Sequence, residues 1–132
     1  RTYLGLAVSG FPNLFTVTGP FSPSVLTNMP TSIEQHVDWI AGCLAHLRAT
    51  GRDRIEADPA AERDWGEHNR AAADATLLPR AASSWYLGAN VPGKPSVFMP
   101  YAGGFARYAA TCADVAADGY RGFRLSGRGP AA

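Results

Sequence analysis

Cysteine is scarce: Cys43 and Cys112 are the only two in 132 residues. At most one bridge could form, so a multi-disulfide framework is excluded. Both thiols fall inside helical patterns, where a small free cysteine ordinarily belongs to the core. The expectation is a reduced, cytoplasmic protein. An excess of charge of one sign is missing too. Twelve Lys/Arg against eleven Asp/Glu leave a net charge of +1, which offers no field suited to nucleic acid or a membrane surface. No apolar run approaches the ~20 residues needed to cross a bilayer. Arg1 begins no recognisable leader, because Gly5, Gly10 and Pro12 interrupt the apolar stretch after it. There is no G-x-G-x-x-G, so nucleotide binding cannot be argued from a complete fingerprint. There is no G-x-S-x-G either, which removes Ser9 as a hydrolase nucleophile.

What remains is an ordinary globular composition, 46% hydrophobic and 11% aromatic with 17% charged residues. Residues 14–18 (Leu-Phe-Thr-Val-Thr) are β-branched and aromatic between Gly and Pro punctuation, and read as a short buried strand. A helix follows. Pro30 suits its first turn, and Thr31/Glu34 or Ser32/Gln35 have capping-box spacing. Ile33, Val37, Ile40, Leu44 and Leu47 form one apolar face, with Gly51 as the stop. Residues 54–57 alternate like a strand. Asp58 then caps, and Pro59 opens, a largely solvated helix reaching about Leu77. Residues 79–95 read as a long loop with Trp85 and Tyr86 on it. After the apolar run Val97-Phe98-Met99, a third helix spans about 104–118 with Phe105, Tyr108, Cys112 and Val115 on one face. Phe123-Arg124-Leu125 reads as a last short strand, and 126–132 as a frayed tail. The pattern is α/β: mostly three helices, short strands and one long loop. One principal strand cannot make a sheet, so its main sheet is expected to lie outside this chain.

Two motif matches fail on chemistry. Gly88-Ala89-Asn90-Val91-Pro92-Gly93-Lys94-Pro95 approaches a phosphate-binding loop, but Pro95 stands where a Ser or Thr hydroxyl is needed. Pro92 and Pro95 also remove two backbone donors, so a rigid turn is the better reading. Cys43 and His46 lie one helical turn apart, yet no second pair completes a metal site. The unit at 14–47 carries more chemistry. Its helix start can hold an anion or developing negative charge, and the Pro/Ser/Gly-rich residues 19–29 allow backbone to approach a ligand. On physics alone a plain strand-helix connection is the preferred reading.

Longer blocks carry a resemblance. Tyr3-Leu4-Gly5, Gly10-Phe11-Pro12-Asn13-Leu14-Phe15, Gly19-Pro20, Ser22-Pro23-Ser24, Asn28-Met29 and the run from Ser32 to Ile40 resemble the Baeyer–Villiger monooxygenases. So do the run from Ser84 to Lys94, Pro100-Tyr101, Gly103-Gly104-Phe105, Tyr108 and Gly119-Tyr120-Arg121-Gly122-Phe123. The likeness is collinear over nearly the whole chain, strongest toward the phenylacetone and cyclohexanone monooxygenase group, and no block matches within 52–82.

The resemblance implies a C-terminal fragment of a flavoprotein with two dinucleotide-binding, Rossmann-like domains, one for FAD and one for NADPH. Residues 1–51 would be the last strand and following helix of the FAD domain. Residues 52–125 would be a C-terminal helical region with a cofactor-covering loop at 79–95, and 126–132 a flexible tail. The implied activity inserts one oxygen atom of O₂ beside a ketone carbonyl, giving an ester or lactone. By resemblance Asn28 and Met29 contact FAD and Trp85 closes over NADP. Ser24, Val25, Leu26 and Met99 line the substrate pocket. The dinucleotide fingerprints and the catalytic arginine lie outside this chain, so it holds no catalytic residue, and the fragment alone is expected to be inactive. Its partners would be the ketone, O₂ and the missing N-terminal part, against which residues 14–17 and the 33/37/40/44 stripe would pack. Two other readings compete: a related N- or S-oxygenating flavoprotein, and a non-enzymatic helical binding module.

Overall fold

The computed structural model describes residues 1–77, 87, 92–93 and 96–127. A short 3-10 turn at Ser24–Leu26 precedes α1 (Met29–Ala49), followed by β1 (Arg54–Ala57), α2 (Pro59–Asp74), α3 (Phe105–Ala117) and β2 (Phe123–Ser126). Trp85, most of the 79–95 loop and residues 128–132 of the tail lie outside the described residues.

Local chemistry explains the helix boundaries. Asn28 caps α1, its side chain accepting from the Thr31 N–H at 3.3 Å; neither capping-box pair supplies the cap. Asp58 caps α2 by accepting from the Ala60 N–H at 2.8 Å, with Pro59 at the first position as expected. Beyond α1 and α3, Gly51 (φ +65°) and Gly119 (φ +60°) take up the left-handed backbone that stops a helix. α2 ends at Asp74, short of Leu77.

One expectation is corrected. Residues 14–18 form no strand. The backbone turns into left-handed conformations at Asn13 (φ 61°) and Thr18 (φ 52°), and between them only Phe15 bridges, to Ala7, so among the described residues the run has no partner strand with which to form a ladder. The sheet is instead the antiparallel pair of β1 and β2, with Ile55 opposite Leu125 and Ala57 opposite Phe123.

In α1 the expectation holds that the aliphatic stripe stays open in this chain. The buried face of the helix is Ser32, His36, Trp39, Cys43 and Leu47, one residue round from that stripe. Polar anchors set that phase. The Trp39 indole donates to the Cys112 carbonyl at 2.9 Å and His36 meets the Tyr108 hydroxyl at 2.7 Å, so the helix turns this side toward α3. The aliphatic side stays open: Ile33 is 39% exposed, Val37 50% and Leu44 42%, with Leu14 and Val17 exposed as well. That openness is what the sequence predicts for a surface meant to meet a sheet beyond this chain.

The core joins these elements to the N-terminal loop through Leu4, Leu6, Ile55, Val115 and a group of aromatic rings. Trp65 of α2 stacks on Tyr101 at 5.3 Å and on His68 at 5.1 Å. Both cysteines are buried and free; burial pushes each thiol up to about 11, so neither is a nucleophile near neutral pH. Glu62 and Glu56 tie down the N-terminal loop by accepting from the Ser9 and Gly10 amides at 2.6 and 3.0 Å.

Candidate functional site

The loop before α1 is held in conformations that side chains ordinarily avoid. Thr18 (φ 52°), Phe21 (φ 69°) and Ser24 (φ 46°) all have left-handed backbone, and for a β-branched residue such as Thr18 that is rare. Such geometry persists only where the surroundings enforce it, and such residues cluster at ligand sites. Here the enforcement is visible. The Phe21 amide donates to the Met99 carbonyl at 2.7 Å and the Tyr101 amide to the Ser22 carbonyl at 2.7 Å, lacing residues 21–22 to the 99–101 segment. The Ser22 hydroxyl donates to the Gly19 carbonyl at 2.7 Å, and the Thr16 hydroxyl to the Gly5 carbonyl at 2.8 Å. Gly19 packs so closely that a Cβ there would lie 2.5 Å from the Gly5 carbonyl oxygen.

Between these two strips of chain lies a cavity of about 220 Å³, lined by Thr18, Gly19, Pro20, Ser24, Val25, Met99 and Pro100. Ser24, Val25 and Met99 therefore meet, although up to 75 residues separate them in the chain. Leu26, named with them on sequence grounds, is exposed and outside the lining. Gly19, Pro20 and Pro100 are lining residues that the sequence reading did not single out as such. For Gly19 and Pro20 the signal was their place at the head of the Pro/Ser/Gly-rich run 19–29.

The turn carrying Ser24 and Val25 packs against α1. At that end of α1, Asn28 is exposed and Met29 half-buried. The Thr31 amide is capped by Asn28, the Ser32 amide donates to the Asn28 carbonyl at 3.1 Å, and Pro30 has no N–H. Among the described residues, the Met29 amide is thus the one first-turn donor without an acceptor. No acidic side chain occupies that turn, so the positive end of a 21-residue helix dipole is uncompensated there. This end can stabilise negative charge on a ligand.

Behind the cavity wall, the Thr18 amide donates to His36 Nδ1 at 2.8 Å, His36 Nε2 meets the Tyr108 hydroxyl at 2.7 Å, and that hydroxyl donates to the Leu4 carbonyl at 2.6 Å. His36 has no solvent exposure, and burial pushes its imidazole down to about 4. The Tyr108 hydroxyl is pushed up, first by burial and then by Cys112. Both groups are therefore neutral at ordinary pH. Sequence alone assigned His36 no role of its own. Its partners Thr18 and Tyr108 lie 18 and 72 residues away along the chain, so spacing does not reveal them.

A larger hollow of about 500 Å³ lies between α2 and α3, lined in part by Trp65, His68, Arg107 and Arg121. None of the expected site residues borders it. His46, the other half of the rejected metal pair, packs its ring on Tyr120 at 5.0 Å.

No family model matches the chain. Individual relatives do. It is 44% identical over 127 residues to an acetone monooxygenase (methyl acetate-forming) of Gordonia sp. (strain TY-5), a match covering 96% of this chain and 24% of that protein. It is 39% identical to a Baeyer–Villiger monooxygenase of Pseudooceanicola batsensis, covering 89% of this chain and 21% of the relative. A phenazine N-monooxygenase of Lysobacter antibioticus is also 39% identical, covering 94% and 22% respectively. Among solved structures, an oxidized steroid monooxygenase bound to NADP superposes with a TM-score of 0.88 at 51% identity, over 96% of this chain and 23% of that one. The chain thus spans about a quarter of the length of the relatives it matches. With sequence blocks, fold and relatives in agreement, this chain belongs to the Baeyer–Villiger monooxygenase family.

Proposed function

We propose that this chain is the C-terminal part of an FAD- and NADPH-dependent monooxygenase that inserts one oxygen atom of O₂ beside a ketone carbonyl. The observation that carries this reading is the cavity shared by Ser24, Val25 and Met99 beside the uncompensated start of α1. The residues suit a flavin: the free Met29 amide and the helix dipole can meet the electron-rich pyrimidine edge of the ring. Bound there, FAD supplies the activation of O₂ by electrons from NADPH. This chain's part is to place the ketone. Pro20 and Pro100 stiffen the wall, while Val25 and Met99 present apolar surface that holds a carbonyl compound and excludes water. Trp85 is proposed to cover the nicotinamide nucleotide from the 79–95 loop. The open aliphatic side of α1 and residues 14–17 are proposed to pack on the remaining Rossmann-like domains.

The likeness to a phenazine N-monooxygenase favours a second reading, in which the same cavity receives an aromatic nitrogen heterocycle and the product is an N-oxide. Substitutions in the wall test the cavity assignment. Val25→Ala and Met99→Ala in the full-length enzyme should raise kcat/KM for a bulky aryl ketone relative to a small cyclic one by about tenfold. Ser24 variants should shift the ratio too, and Leu26→Ala less. Reduction of flavin by NADPH should be nearly unaffected. An unchanged ratio at all four positions, with lower melting temperatures, would mean that these residues only pack.

A further inference from the structure

We propose that His36 is a positioning residue that, with Tyr108, sets the backbone wall of the cavity at Thr18 and Gly19. The imidazole does not merely fill space, since each ring nitrogen has one defined job. The Thr18 amide can only donate, so Nδ1 accepts and carries no proton. The remaining proton sits on Nε2 and is donated to the Tyr108 oxygen; Tyr108 donates in turn to the Leu4 carbonyl. The relay runs in one direction and uses every donor.

Its two ends are what make it a device for shaping the site. Leu4 (φ 57°) and Thr18 (φ 52°) are both non-glycine residues with left-handed backbone. The next residue at each end is glycine, and Gly5 and Gly19 press together so tightly that a Cβ on Gly19 would collide with the Gly5 carbonyl. The relay therefore fixes both partners of the contact that backs the cavity, and it does so from α1 and α3, outside the lining. Without the His36 acceptor the Thr18 amide loses its partner, and the threonine is free to relax toward ordinary φ. Thr18, Gly19 and Pro20 line the cavity directly, so that relaxation changes its shape.

The consequence for substrate rests on reading the cavity as the ketone's; the relay itself does not. The test uses His36→Ala, His36→Gln and Tyr108→Phe in the full-length enzyme. Glutamine offers one acceptor and one donor on a planar group, and can replace both ring nitrogens. Hydrogen exchange at the Thr18 amide should rise roughly five- to tenfold in His36→Ala, the equivalent of one lost hydrogen bond. It should return near the original rate in His36→Gln. The bulky-to-small ketone ratio and the ester formed per NADPH consumed should follow the same order, with Tyr108→Phe between the extremes. Unchanged exchange, or a glutamine variant as impaired as the alanine one, overturns the relay. Faster exchange with an unchanged ketone ratio also overturns the proposal, because His36 is then structural only. A parent enzyme that oxidises no ketone refutes the functional reading instead, and the exchange pattern still decides the relay. Should His36→Ala fail to fold, Tyr108→Phe against His36→Gln gives the same comparison.

Discussion

At Thr18 a side chain that disfavours left-handed backbone is held there by a histidine from another element. That histidine ties stability to pH. Its folded value is about 4, against an ordinary 6.5. Between the two, the unfolded chain binds more protons than the folded one, so stability rises with pH. His36 therefore contributes fully above the ordinary value and loses that contribution as pH falls toward about 4. The full effect is on the order of 3 kcal/mol. Thermal melts of the parent and of His36→Gln, taken from about pH 7 down to about pH 4.5, should diverge, with the parent losing stability faster. Carboxylates titrate alike in both proteins and cancel. Parallel curves would mean that His36 is not buried neutral. None of this was legible at the residue scale. A histidine on a helix reads as ordinary until its neighbours in space are known, and Tyr108 is 72 residues away.

Elements were more legible, because their causes are local. The alternation at 54–57, the Asp58-Pro59 start of α2 and the glycine stops all lie within a few residues of what they determine. The 14–18 run misled because β-branched composition reports fitness for a sheet, not the presence of a partner strand. The open stripe of α1 was legible, but the identity of its buried side was not, because indole and imidazole hydrogen bonds turn the less aliphatic of two adjacent stripes inward. The two capped helices allow a controlled comparison. Asn28→Ala and Asp58→Ala each remove a side-chain acceptor from a helix start, and each should lower stability by about 1 kcal/mol. Only Asn28→Ala should also weaken flavin affinity or shift the flavin absorption bands, because only α1 is proposed to face the ring. Equal flavin effects from both, or none from Asn28→Ala, would leave the α1 start with a purely structural role.

At the scale of the whole molecule, collinear blocks of sequence pointed to the family, and the relatives show it. The gathering of Ser24, Val25 and Met99 was legible only through that resemblance, since nothing in the spacing of residues 24 and 99 implies that they meet. The open aliphatic side was legible directly. A helix with a stripe at 33, 37, 40 and 44 declares a partner, and the described residues provide none that covers Ile33, Val37 or Leu44. Under the proposed function these residues, the free Met29 amide and the cavity belong to one account, in which the segment completes a flavin site built mainly by other parts of a longer protein. That account says what the product is. The decisive measurement supplies the full-length enzyme with FAD, NADPH and isotopically heavy dioxygen, offers a cyclic ketone and a phenazine together, and weighs the products by mass spectrometry. The account predicts a lactone carrying one heavy oxygen atom and an unaltered phenazine. A heavy N-oxide beside untouched ketone, or a lactone without the label, would contradict it.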